Sequence, residues 1–210
     1  MIFDMDGVIV DSEPLHEQAF METFHALGYG DTHGVNFKEY LGRSDRAVWN
    51  FFMNKHQPSQ TVEELTDLKE GRLVKVLRER EPLFPGVTEL IDALSKKYPL
   101  AVASGSVHRV IKQVLELRNL KRFFPTVVSS EDVPQGKPSP DIFLRTADLL
   151  GVKPSRCCVI EDTTAGIQAG VSAGMTVIAI TNTYPADALG KAHRIVRSYG
   201  EIHQLLLPQG

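Results

Sequence analysis

Two carboxylates stand two residues apart in FDMDG, Asp4 and Asp6, directly behind a short apolar run and directly before Gly7. Further along, VASGS supplies Ser104, Gly105 and Ser106, GKPSPD supplies Lys137, and VIED supplies Glu161 and Asp162. Taken singly, each has an ordinary explanation. A strand-end aspartate often caps the next helix, as Asp162 could before Thr163 and Thr164, and one loop lysine is usually just solvated. Gathered in one crevice, the same residues mean something else. Crowded carboxylates repel each other and raise one another's pKa, and a divalent cation removes that difficulty. Hard oxygen donors, with no histidine or cysteine pattern beside them, favour Mg²⁺, which completes its shell with water and a substrate phosphate.

The elements that would bring these residues together can be read from the apolar pattern. LAVAS (100–104), TVVSS (126–130), CCVIE (157–161) and TVIAI (176–180) are short apolar runs rich in β-branched residues. Helical spacing separates them at 107–117, 140–150 and 165–173, and a weaker strand at 194–197 and a helix at 201–207 close the chain. Strands alternating with helices predict an α/β fold, a Rossmann-like parallel sheet with helices on both faces. In such sheets ligands gather beyond the carboxyl ends of the strands, where the acids and Ser104 stand. Only three residues precede Asp4, few for a central strand of typically five or six.

Residues 15–80 differ. They show helical spacing at 15–27, 46–55 and 61–80 and no convincing strand. This block reads as an inserted helical domain, with 1–14 and 81–210 forming the α/β domain. Proline-bearing linkers near 11–14 and 81–85 would carry it.

The chain has 210 residues, 42% of them apolar and 23% charged, which suits a soluble globular protein. A net charge of −3 offers no field for nucleic acid or a membrane surface. Its two cysteines, Cys157 and Cys158, are adjacent, which implies neither a disulfide framework nor a two-cysteine metal site and suits a reducing compartment. No signal peptide and no apolar run of about 18 residues is visible. The expectation is a cytoplasmic monomer that binds neither nucleic acid nor a membrane.

FDMDGVIVDSE, VASGS, GKPSPDIF and VIEDTTAGIQAGVSAGM resemble the four motifs of the haloacid dehalogenase superfamily, and most closely its β-phosphoglucomutase-like phosphatases with a helical cap. The resemblance covers nearly the whole chain. It implies that Asp4 is a nucleophile forming an aspartyl phosphate. Asp6 would protonate the leaving alcohol and then activate water. Mg²⁺ would be held by Asp4, the main-chain carbonyl of Asp6 and Asp162, with Glu161 acting through a water or as a neighbouring ligand. Ser104 and the amides of Gly105 and Ser106, at a helix N-terminus, would hold the phosphate, and Lys137 would neutralise charge. Dehalogenases and phosphonatases keep no aspartate at the second position, so Asp6 favours C–O–P substrates.

In the cap, Glu13, His16, Arg43, Arg46 and Trp49 are candidate substrate contacts. Trp49 is more simply explained as core, and the arginines as solvated surface. The lysine and arginine by which a phosphoglucomutase cap grips a second phosphate match Leu41 and Asp45 here, and Val107 stands where a lysine follows its serine pair. A phosphatase of small sugar or polyol phosphates is therefore expected, with a sugar phosphomutase and a non-catalytic binder of phosphorylated ligands as alternatives.

Overall fold

The computed structural model describes residues 1–40 and 45–207. Its shortest strand is one of the two at the centre of the sheet. β1 is only Ile2–Phe3, both fully buried. It pairs in parallel with β2 (Ala101–Ala103) on one side and β4 (Cys158–Glu161) on the other. The Asp4 amide donates to the Ile160 carbonyl at 2.9 Å, which carries the pairing one residue further. β3 (Thr126–Val128) lies outside β2, and β5 (Thr176–Ile180) and β6 (Arg194–Val196) lie outside β4. The order β3-β2-β1-β4-β5-β6 is parallel throughout. The chain therefore runs outward from β1 to β3 and then reverses to β4, and a crevice opens at the carboxyl ends where strand order reverses.

The strands read as unbroken apolar runs because helices cover both faces of such a sheet. On one side Val128, Phe143, Val159, Ile167 and Val177 share a buried cluster. The crossing helices are α5 (His108–Glu116), α6 (Asp141–Leu149) and α7 (Thr164–Ser172), and α8 (Tyr199–Leu206) ends the fold. One further helix, α4 (Val87–Ser95), was not expected from the sequence. Its signal was present: Val87, Leu90, Ile91 and Leu94 are all buried, at the spacing of one helical face. Both cysteines are free.

Two compact units divide the chain, Met1–Asp11 with Pro82–Gly210, and Ser12–Glu81. The second is helical. α1 is Glu13–Ala26, α2 is Asp45–His56 and α3 is Val62–Arg80. Pro14 belongs to the first turn of α1 and not to a linker, since its missing N–H costs nothing there. α3 opens on a capping box between Thr61 and Glu64. Phe20, Phe24, Trp49 and Phe52 pack at the centre of this unit, with 4.8 Å between the Phe20 and Trp49 ring centroids. Trp49 is completely buried, so it serves as core.

The two junctions run side by side. The Asp11 amide donates to the Pro82 carbonyl at 2.8 Å, and Val10 bridges Leu83 in antiparallel fashion. Both connections thus leave the α/β unit next to the segment that comes a few residues after Asp6. No described helix is long and apolar enough to cross a membrane.

Candidate active site

Four charged side chains meet beyond the ends of β1 and β4. Lys137, from the loop before α6, donates to Asp4 Oδ1 at 2.6 Å and to Glu161 Oε1 at 2.7 Å. The other Glu161 oxygen accepts from the amides of Asp162 and Thr163, both at 2.7 Å, and from Thr163 Oγ1 at 3.0 Å. Glu161 thereby holds the turn that leads into α7, whose own cap is Thr163: the Thr163 hydroxyl accepts from the Gly166 amide. Glycine at 166 is required by this arrangement, since a Cβ there would overlap the Glu161 carboxylate.

Asp162 is almost fully buried. Its Oδ2 accepts from Thr183 Oγ1, while Oδ1 is buried without a hydrogen-bond partner. Gly7, at φ +76°, passes so close that a Cβ would fall on the Asp162 carboxylate. The glycine after the two acids thus admits a third one.

Asp4, Glu161 and Asp162 each offer a carboxylate oxygen within 4.8 Å of the others. Three buried acids face one lysine. Burial pushes the Asp4 carboxyl up, Lys137 pulls it down, and Glu161 and Asp6 push it up again, to about 7. Burial, then Glu161 and Asp4, raise Asp162 well above the usual carboxylate range. Burial alone would lower Lys137, but Asp4 and Glu161 outweigh it and hold the ammonium charged. The donor set fits a hard divalent cation: oxygen ligands only, excess negative charge, and a buried Asp162 oxygen lacking a donor.

Asp6 is held differently. Its Oδ2 accepts from Ser106 Oγ at 2.8 Å and from Ser104 Oγ at 3.2 Å. The Ser106 amide donates to Ser104 Oγ at 3.0 Å. α5 begins only at His108 after the cap residue Val107, so Gly105 and Ser106 lie in the turn before the helix and not in its first turn. These two residues lead directly into the helix N-terminus, and their turn lets the serine hydroxyls reach Asp6.

In the helical unit, His16 on α1 is half-buried, with Nδ1 2.6 Å from Lys69 Nζ. Lys69, from α3, donates to Asp45 Oδ2 at 2.6 Å and is wholly buried, with Nζ 4.9 Å from the Phe20 ring centroid. Burial pushes the Asp45 carboxyl up, but Lys69 and then His16 outweigh it and hold it below the usual carboxylate range. Glu13 and Arg46 are exposed on α1 and α2. Arg43 and Leu41 lie outside the described residues. Sequence reasoning missed Lys69, although a lysine between Leu65 and Leu73 on the buried stripe of α3 was a signal. It also missed Thr183, for which no spacing signal exists. A cavity of about 520 Å³ lies elsewhere, at the amino ends of β4, β5 and β6, beside Cys158, Thr176 and Arg194.

Residues 1–180 match the family model of haloacid dehalogenase-like hydrolases. The chain is 33% identical over 182 residues to hexitol phosphatase B of Escherichia coli K12, covering 85% of this chain and 82% of that protein. It is 32% identical over 184 residues to fructose-1-phosphate phosphatase YqaB of the same organism, covering 85% and 94%. A solved β-phosphoglucomutase from Clostridium difficile superposes with a TM-score of 0.80 at 27% identity, over 96% of this chain and 91% of that one. With matched motifs, sheet order and length, the chain belongs to the haloacid dehalogenase-like hydrolase family, in its β-phosphoglucomutase-like branch.

Proposed function

We propose that the chain is a Mg²⁺-dependent phosphatase that hydrolyses a small sugar or polyol phosphate monoester through an aspartyl phosphate on Asp4. One observation carries this reading: a lysine bridges Asp4 and Glu161 beside an Asp162 oxygen that is buried without a donor. Asp4, the Asp6 carbonyl and Asp162 would be the ligands, and Glu161 supports them from the end of β4. The ion, when bound, supplies positive charge that draws phosphoryl oxygens in and keeps Asp4 ionised.

An Asp4 carboxylate oxygen attacks phosphorus, and the bond from phosphorus to the ester oxygen breaks. Asp6, protonated and oriented by the two serine hydroxyls, gives its proton to the departing alkoxide. Its carboxylate then takes a proton from water, whose oxygen attacks phosphorus. The bond to Asp4 breaks, phosphate leaves, and both acids return to their starting states. Ser104 contacts the phosphate, and Lys137 fixes the Asp4 carboxylate and offsets charge on the transferring group.

The helical unit acts as the cap, because both its connections leave the α/β unit beside the turn after Asp6. Of its candidate contacts, Glu13 and His16 follow the first motif, and Arg43 and Arg46 belong to LGRSDR. Asp45 stands where a phosphoglucomutase cap carries an arginine, and Lys69 keeps it anionic. A carboxylate there cannot grip a second phosphate, which favours a monophosphate substrate. The hexitol and fructose-1-phosphate phosphatases among the relatives support the same class. A mutase is the second reading, on the likeness to β-phosphoglucomutase.

The test is a phosphate-release screen over sugar and polyol monophosphates, with and without Mg²⁺, using Asp4→Asn as the blank. Steady Mg²⁺-dependent release is expected. Phosphate transfer that requires a bisphosphate sugar would establish the mutase instead, and turnover by Asp4→Asn would remove the covalent intermediate.

A further inference from the structure

The turn that carries Asp6 away from β1 satisfies its own amides. The Val8, Ile9 and Val10 amides all donate to the Met5 carbonyl, at 3.2, 2.7 and 3.1 Å, and the Gly7 amide donates to the Val10 carbonyl at 2.9 Å. The Gly7 and Val8 carbonyls are satisfied from elsewhere. Asn182, two residues past β5, donates from Nδ2 to the Gly7 carbonyl at 2.8 Å. The Tyr199 hydroxyl, at the start of α8, donates to the Val8 carbonyl at 2.7 Å and accepts from Asn182 Nδ2 at 2.9 Å. Burial holds this phenol protonated, so it remains a donor. The neighbouring Thr183 donates to Asp162 Oδ2. Adjacent side chains of one loop thus hold the turn after Asp6 and the carboxylate after β4.

We propose that Asn182, Thr183 and Tyr199 are positioning residues for the metal site: together they fix the Asp6 turn and Asp162 relative to one another before any ion binds. This rests on the metal-dependent reading above. Thr183 occupies Oδ2, so rotation of the carboxylate is restricted and Oδ1 is the oxygen left for the ion. Asn182 and Tyr199 lock the backbone just beyond Asp6, whose carbonyl is the proposed ligand. None of the three lies in the four motif stretches. They act through other residues, as the outer-shell partners of metal ligands generally do, where loss of one weakens binding about 10- to 100-fold.

The deciding experiment titrates the metal-free protein with Mn²⁺, a probe that also takes oxygen ligands, and reads free Mn²⁺ by electron paramagnetic resonance. Thr183→Val keeps the shape and removes the donor, and is expected to bind Mn²⁺ about 10-fold more weakly. Thr183→Ser keeps the donor and is expected to bind within about twofold of the parent, which separates positioning from packing. Tyr199→Phe and Asn182→Leu are expected to weaken binding by smaller factors, about three- to tenfold. Should either fail to fold, the Thr183 pair decides alone. Parent-like Mn²⁺ affinity in Thr183→Val overturns the proposal and leaves the phosphatase reading intact. A parent protein that binds no Mn²⁺ at millimolar concentration overturns both.

Discussion

Each unit of the molecule buries a lysine against acids, and the two clusters come out opposite in sign. In the α/β unit Lys137 faces Asp4 and Glu161 with Asp162 close by, so one cation meets three acids. Burial wins, and Asp4 rises to about 7. In the helical unit Lys69 faces one acid, Asp45, beside a histidine. There attraction wins, and Asp45 is held below the usual range. Burial alone does not set the outcome; the local charge count does. The first cluster is left with negative charge that a bound proton or a further cation must offset. In the second, Lys69 offsets Asp45 directly.

The largest effect expected from this contrast is on activity. Asp4→Asn removes the attacking group and should lower kcat by at least about 10⁴-fold, whereas Asp45→Asn should keep chemistry on a small generic ester within about tenfold, as a positioning loss. Parallel kinetics on both variants check this, and equal losses would erase the distinction between the clusters. Chelating the metal should silence the parent enzyme as completely as Asp4→Asn does.

Stability should move in opposite directions. The folded-state pKa of Asp4 is raised above its value of 3.8 toward about 7, so its contribution is fully present below about pH 4 and is lost as pH rises through about 7. The size is on the order of 4 kcal/mol, shared among coupled acids. In chelator, the melting temperature of Asp4→Asn minus that of the parent should therefore grow between pH 5 and pH 8, and Mg²⁺ should shrink the difference. A flat difference would mean that the acids carry no mutual strain. Asp45 has a lowered folded-state pKa, so its contribution is present above about pH 4 and is lost as pH falls below that range. Asp45→Asn leaves Lys69 buried beside a neutral amide and should destabilise at pH 7 by about 2 kcal/mol. That is less than for a fully buried pair, since the Asp45 side chain is 31% exposed. Urea unfolding measures it.

The α/β cluster was far more legible in the sequence than the helical one, for a physical reason. Strands buried on both faces must be apolar runs, and a parallel sheet gathers the residues at their carboxyl ends, so Asp4, Ser104 and Glu161 are located by their neighbours in sequence. Lys137 lies well past the end of β3, just before α6, and was placed by the prolines of GKPSPD that begin the next helix. Lys69 sits on the buried stripe of its own helix between Leu65 and Leu73, with Glu70 beside it, and charged residues in a helix read as surface until their partners are known. Asn182, Thr183 and Tyr199 were illegible because each touches residues far away in the chain, and hydrogen bonds between distant loops leave no periodicity. α4 was missed although its spacing was plain, because the proline-rich stretch before it resembles a linker. The Ser106 hydroxyl was overlooked in favour of its amide, and the bend before α5 reverses their availability.

The smallest expected effect concerns Arg46, one residue beyond Asp45. Its guanidinium was a candidate substrate contact, with a solvated surface role as the alternative. It is exposed on α2, while Asp45 beside it is drawn toward Lys69. An exposed arginine holds a ligand weakly in water, because each contact must displace good hydration and order a long side chain. Arg46→Ala should therefore change stability by less than about 0.5 kcal/mol. It should also raise KM for a sugar monophosphate by no more than about threefold with kcat unchanged, since a solvated contact contributes only about 0.2 to 1 kcal/mol. Measured beside Asp45→Asn, this separates two ways in which the helical unit could select its ligand. A tenfold rise in KM confined to Arg46→Ala would mean that selection acts through added positive charge and would strengthen the mutase reading. A KM change confined to Asp45→Asn would mean that it acts through a fixed carboxylate that accepts hydroxyl donors and repels a second phosphate, which is the behaviour a monophosphate phosphatase requires.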